Sequence, residues 1–230
     1  MQYRQVMKKL KALGSPENVA GMARFGIQSK NAYGVSAPAV RRLAKEIGTD
    51  HRLAQQLWRS GNLDARGLAA LIDDHRQVTE EQMENWAKDF DSWAVVDGAC
   101  NYLFRKTAFA HPKAIEWAER EEEFVKRAGF SMMACLAVHD KQAPDAQFLR
   151  FLAIVKRKST DERNFVKKAV NWALRQIGKR NLRLRQAAIS TARQIRRLDS
   201  KAAHWIAADA LRELTSEKTV ARIRAKAAKR

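Results

Sequence analysis

The chain has 230 residues, with 44 Lys+Arg against 25 Asp+Glu and a formal net charge of +19, which leaves room for one large or two small domains and points to a polyanionic partner. Hydrophobic residues make up 46%, enough to bury a core, so the charge does not signify disorder. Cys100 and Cys135 stand alone, the five histidines lack metal-ligand spacing, and no Walker loop, dinucleotide-binding glycine fingerprint or Gly-x-Ser-x-Gly elbow occurs, so we expect no zinc cluster, disulfide framework or cofactor.

With only 10 Gly and 4 Pro, and Ala, Leu, Arg, Lys and Glu dominant, the chain reads as all-α. The first residues, MQYRQVMKKLKALG, carry charge every few positions and offer no apolar run of signal or membrane-span length. We therefore expect a soluble, cytoplasmic, nucleoid-associated protein with no membrane partner. Helix starts are marked by Ser15-Pro16-Glu17, Ser36-Ala37-Pro38, Thr79 to Gln82, Ser159 to Glu162 and Ser216-Glu217. Stops are marked by Gly14, Gly48, Gly61, His111-Pro112 and Gly178. Roughly a dozen helices of about 10–18 residues fit between these signals.

Several helices read alike, a basic residue followed by a small one and then apolar residues at helical spacing: from Asp64, Lys126, Lys167 and Arg185. That is the look of one helix of a HEAT-like pair, and the 41 residues from Lys126 to Lys167 suit such a repeat. We expect residues 1–230 to form a single HEAT-like α-solenoid with a concave basic face; a non-repeating helical bundle is the other reading.

In Asp91 to Asp97, Ser92 can cap the following helix, placing Trp93 in its first turn and Asp97 one turn later on the same face. The core stripe is then Val96, Ala99, Cys100 and Leu103, with Trp93 and Asp97 at its edge. Asp97 also suits the helix N-terminal dipole without any further role. Arg127 begins a helix otherwise small or apolar, where Ser131 and Ala134 leave room for a phosphate; pairing with Glu123 would equally explain it.

From Val166 to Lys179, Val166, Ala169, Val170, Ala173, Leu174 and Ile177 form one apolar stripe, and Lys168, Trp172, Arg175 and Lys179 lie opposite. An aromatic among three cations suits a surface that stacks on a sugar or base and tracks phosphates, although a neighbouring repeat could also cover Trp172. The charge is uneven: residues 1–149 hold 21 basic and 19 acidic side chains, whereas 150–230 hold 23 and 6, net +17. Counterion release rewards such a footprint on nucleic acid. The basic segment 217–230 need not be ordered, and it has no Trp or Phe face to anchor it in a membrane.

Taken together, Met22-Ala23-Arg24-Phe25, Gly34-Val35-Ser36-Ala37-Pro38-Ala39-Val40-Arg41, Ser92 to Asp97, Lys126-Arg127-Ala128 and Lys168 to Arg175 stand in an order that resembles the HEAT-repeat alkylpurine DNA glycosylases of the AlkD type, from about Met22 to Lys179. The resemblance implies a catalytic site of Trp93, Asp97 and Trp172, with Arg127 gripping the backbone beside the lesion. Phe25, counted with the DNA-binding residues, falls where the family typically carries Tyr, and Ala94 where an aromatic can follow the catalytic Trp.

The reaction implied is hydrolysis of the N-glycosidic bond of N3- or N7-alkylpurines in duplex DNA, by a monomer without metal or other cofactor. Alkylation makes the purine a cationic leaving group, so what needs stabilising is an oxocarbenium-like deoxyribose. Asp97 would oppose that charge and orient water, with Trp93 and Trp172 flanking the sugar. Lys168, Arg175 and Lys179 would hold phosphates. The alternative is a non-catalytic HEAT-like module that binds nucleic acid or protein.

Overall fold

The computed structural model describes residues 1–27 and 31–227, which hold fourteen α-helices and, among these described residues, no strand. Contacts gather the chain into two compact units, Met1–Phe109 and Ala110–Arg230.

The first unit contains α1 (Tyr3–Ala12), α2 (Pro16–Met22), a 3-10 turn (Ala23–Phe25), α3 (Ala37–Ile47), α4 (His51–Arg59), α5 (Leu63–Ile72), α6 (Glu80–Lys88) and α7 (Trp93–Gly98). Backbone amides at helix starts find side-chain acceptors as the sequence leads one to expect: Ser15 accepts from Asn18 N and Thr79 from Gln82 N. Gly48 and Gly61 follow α3 and α4 at φ of 77° and 65°, a region disfavoured for residues with a Cβ. Between α4 and α6 the core is aromatic. Trp58 stacks on Trp86 with centroids 3.8 Å apart, and Trp86 leans on Phe104 at 5.8 Å.

The second unit contains α8 (Ala110–Glu119), α9 (Glu123–His139), α10 (Asp145–Arg157), α11 (Asn164–Gly178), α12 (Leu182–Ile195), α13 (Lys201–Thr215) and α14 (Glu217–Ala227). Two boundaries differ from the sequence expectation. His111-Pro112 lies inside the first turn of α8 instead of ending a helix, because the first four amides of a helix need no intrahelical partner and proline has none to offer. Ser159 opens no helix either. Its hydroxyl donates back to the Lys156 carbonyl, Asp161 takes the Arg163 amide, and α11 begins only at Asn164. Residues 217–227 of the basic C-terminal segment are helical, started by Ser216, whose Oγ accepts from Thr219 N; residues 228–230 of that segment lie outside the described residues.

Helices of the second unit pack in two rows, α9, α11 and α13 side by side, backed by α8, α10 and α12. The first row starts at Glu123, Asn164 and Lys201, intervals of 41 and 37 residues. Polar links between its neighbours recur at a separation of 38 residues: Arg127 to the Phe165 carbonyl, Asn171 to Asp209, Arg175 to Glu213. Residues 125–137 of α9 are buried without a break, and at Gly129 a Cβ would stand 2.3 Å from the Ala118 backbone nitrogen. The α8–α9 crossing is therefore closed by the missing side chain. Gly129→Ala should destabilise the protein by roughly 3 kcal/mol, because backbone rather than a flexible side chain must yield. A fall in the urea midpoint at unchanged slope would show it.

Candidate nucleic-acid interface

In the first unit, the segment from Tyr33 to Val35 is held by one carboxylate. Buried Asp64 accepts from the amides of Tyr33 (2.6 Å), Gly34 (3.1 Å) and Val35 (2.9 Å). Gly34 has φ of 78°, and a Cβ there would meet the Ser15 carbonyl at 2.3 Å, so the turn admits only glycine. That is the physical content of the Gly-Val-Ser-Ala-Pro run: it delivers α3, with Arg41 exposed on its outer side.

Helix α7 carries Trp93 and Asp97, both half-buried, on successive turns of one face. The Trp93 indole nitrogen donates to the Phe25 carbonyl at 2.8 Å, which fixes the ring's orientation. Phe25 meets Trp93 through its backbone, while its phenyl ring is 69% exposed. Ser92 occupies the N-cap position with extended backbone, yet its side chain makes no capping bond, and its buried Oγ has no hydrogen-bond partner among the described residues. The expected cap is thus replaced by burial of the hydroxyl. Val96, Ala99, Cys100 and Leu103 are buried as the sequence stripe requires, and α7 runs directly into a π turn over Ala99–Leu103. Such turns are rare and frequent at functional sites. Beside Trp93 and Asp97, Ala94 and Gly98 line a cleft of about 170 Å³ with Val40, Arg41, Leu71 and Tyr102.

In the second unit, all six residues of the α11 stripe are buried, and Lys168 is exposed with Trp172 half-buried one turn on. Arg127 is 6% exposed and donates to the Phe165 carbonyl at 2.7 Å, joining α9 to the first turn of α11.

The cations expected beyond Trp172 are differently disposed from what one helix suggests. Arg175 reaches Glu213 at 2.8 Å and Asp209 at 3.5 Å, and Lys179 reaches Glu213 at 2.7 Å. Two of the expected phosphate ligands are therefore already engaged by carboxylates of α13. Helical-wheel reasoning on α11 missed these partners, which lie 34–38 residues ahead. It also missed Trp205, 41% exposed on α13, with the Lys167 ammonium 5.3 Å from its ring centroid. The missed signal was the 38-residue register itself, which sets Lys167, Asn171 and Arg175 opposite Trp205, Asp209 and Glu213.

Burial pulls the Glu213 carboxyl upward, but the hydrogen bond from Lys179 and the charges of Lys179 and Arg175 outweigh it and hold the group below its ordinary value. Its contribution to stability is complete above the unfolded value of about 4.5 and is lost as pH falls through the depressed folded value. Glu213→Gln should abolish that part of the acid transition. It should also release two cations, so that affinity for duplex DNA rises and the salt dependence steepens by up to ~1.8 in slope. Lys168→Ala should flatten the slope by about 0.9, and Arg175→Ala by less. Titrations of a labelled duplex across a salt series measure all three.

Comparison with known proteins bears on most of the chain. Residues 6–214 match the family model of the DNA alkylation repair enzymes. An uncharacterized protein of Listeria innocua, Lin0241, is 24% identical over 197 residues, 84% of this chain and 86% of that protein. A solved structure described as a new family of proteins related to the HEAT-like repeat DNA glycosylases, with affinity for branched DNA structures, superposes with a TM-score of 0.77 at 22% identity, covering 92% of this chain and 95% of that one. The likeness shows a HEAT-like repeat fold, in keeping with the paired rows of helices. No helix among the described residues is long and apolar enough to cross a membrane. With its fold and nearly its full length matched, the chain belongs to the DNA alkylation repair enzyme family.

Proposed function

We propose that the protein is a DNA glycosylase that releases cationic N3- and N7-alkylpurines from duplex DNA. The observation that carries the reading is the pair on α7: a half-exposed Trp93 with its indole locked by the Phe25 carbonyl, and Asp97 one turn further on the same face. An alkylated purine leaves as a neutral base, so the chemistry asks little of a general acid. The group needing stabilisation is the sugar, which gains positive charge as the bond to nitrogen stretches. A fixed carboxylate opposes that charge without reorganising, and can orient the attacking water. An indole face attracts the same cation through its quadrupole.

In the second unit Trp172 would stack on the DNA, with Lys168 on a nearby phosphate, whereas Arg127, buried and bound to the Phe165 carbonyl, holds α11 on α9 and is not offered to a phosphate. Arg175 and Lys179 contribute less than their charge suggests, being shared with Glu213. Phe25 presents its ring to solvent and offers an apolar contact in place of a phenolic hydroxyl. Ala94 leaves open a cleft that an aromatic side chain would occupy, which bears on the range of lesions accepted.

A second reading, a DNA-binding module without catalysis, is favoured by the description of the structural relative as having affinity for branched DNA. Single-turnover release of N7-methylguanine or N3-methyladenine at saturating protein separates the two. We expect Asp97→Asn to bind duplex as tightly as wild type or slightly more tightly, yet to release base on the order of 10²–10³ more slowly. Trp172→Ala should also lose activity. Equal rates for wild type and Asp97→Asn would remove the carboxylate from the mechanism, and no release of either base by wild type would leave the binding module.

A further inference from the structure

Part of the excess positive charge of the second unit lies on a face that the proposed function does not use. Helix α12 contains no acidic residue. Its buried positions, Leu184, Ala188, Ile189, Ala192 and Ile195, pack inward. Its exposed positions include Arg183, Gln186, Ser190, Arg193 and Gln194, spaced by three and four residues along the opposite side, and Arg196 and Arg197 continue them in the turn that follows. Among the described residues none of these four arginines has an ion-pair or hydrogen-bond partner for its guanidinium.

The contrast with the other row of helices is chemical. On α11 and α13, Arg175, Lys179 and Arg212 are each paired with Glu213 or Asp209. Beside α12, helix α10 adds exposed Arg150 and Lys156, while its Asp145 is tied to Asn181 at 2.8 Å. Asp199, exposed in the turn before α13, is the acidic group nearest in sequence to the arginine row. Helix α12 packs on α10, α11 and α13 through its buried positions, so its exposed face belongs to a different helix and row from Lys168 and Trp172.

We propose that the exposed face of α12, extended by α10, is a second binding surface for the phosphate backbone of duplex DNA, so that one chain holds two duplex segments. The proposal rests on the nucleic-acid reading and is independent of catalysis. From Arg183 to Arg193 the row is about 15 Å long, at 1.5 Å per residue. A duplex presents one phosphate charge per ~1.7 Å of axis, so several lie within reach of that length. Glutamine and serine between the arginines suit sugar–phosphate contacts. A membrane surface is the poorer match, because the face carries no Trp or Phe and a single exposed Leu182 at its end.

The test uses the full chain and a duplex too short to span both faces, about 10 base pairs. Stoichiometry is read by sedimentation and affinity over a salt series, for wild type, for Arg183→Gln/Arg193→Gln/Arg197→Gln combined, and for Lys168→Gln. The three arginines are exposed and unpartnered, so the variant should fold, and an unchanged melting temperature checks that. We expect two duplexes bound by wild type and one by the triple variant. The lost event should carry a salt slope of about 2.7, from three phosphate contacts. Lys168→Gln should weaken only the other event. One duplex for wild type and none for the triple variant would uphold this surface and remove the α11 one. One duplex for both, with equal slopes, would overturn the proposal, as would triple-variant-sensitive binding to phosphatidylserine vesicles without a second duplex. Base release by the triple variant should equal that of wild type, so failure of the glycosylase reading shows separately.

Discussion

Two cations buried in the middle of the second unit set its geometry. Lys126 and Arg127 sit on α9, where they are 4% and 6% exposed. An ion taken out of water must find partners or lose several kcal/mol, so burial of these two dictates what surrounds them. Lys126 is answered by Glu121 at 3.2 Å and Asp161 at 3.5 Å, and Arg127 by the Phe165 carbonyl at the start of α11. Asp161 is in turn gripped by Arg163, whose guanidinium also reaches the Glu121 carbonyl. Burial raises the Asp161 carboxyl, but hydrogen bonds from Arg163 and the charges of Arg163 and Lys126 bring it below its ordinary value, so it stays an anion. The register of α11 on α9 follows from this network, and with it the exposure of Lys168 and the half-burial of Trp172.

The same register carries forward to α13 and decides the electrostatics. One helix further on, the residues in the equivalent positions are Asp209 and Glu213, and they neutralise what α11 offers them. These pairs are half-buried, and their stabilising effect is modest and confined to pH above the depressed Glu213 value. Their larger effect is on binding, since a cation shared with a carboxylate releases fewer counterions from DNA than a lone one. The +17 of residues 150–230 is therefore an upper bound for any one face. Net charge identifies the class of partner, and pairing decides where the partner is held.

The first unit solves a different problem, that of keeping the short helix α7 rigid. Helix α7 spans only Trp93–Gly98, too short to be stable by its own hydrogen bonds, and it lacks the side-chain cap its sequence offers. Rigidity comes from elsewhere. The Phe25 carbonyl fixes the indole, the π turn continues the helix into a buried apolar stripe, and the carboxylate of Asp64 secures the turn that leads into α3 across the cleft from Ala94. Catalytic groups of the kind proposed act through preorganisation, and these supports provide it.

By itself the sequence determined the helical class, the apolar stripes of α7 and α11, several caps and stops, and the residues Trp93, Asp97, Trp172 and Lys168 as polar-face candidates. These are matters of spacing within one helix, where residues three and four apart must share a face. It misjudged His111-Pro112 and Ser159, since a proline or serine signal means stop or start according to which turn it falls in. What it could not show was which cations are free. Arg175 and Glu213 lie 38 residues apart, and nothing in either local pattern announces the other. Only tertiary structure decided that α13 pairs with Arg175 and Lys179 of α11 while Arg183 and Arg193 of α12 stand unpaired among the described residues, because pairing depends on distances across helices and sequence periodicity describes distances along one.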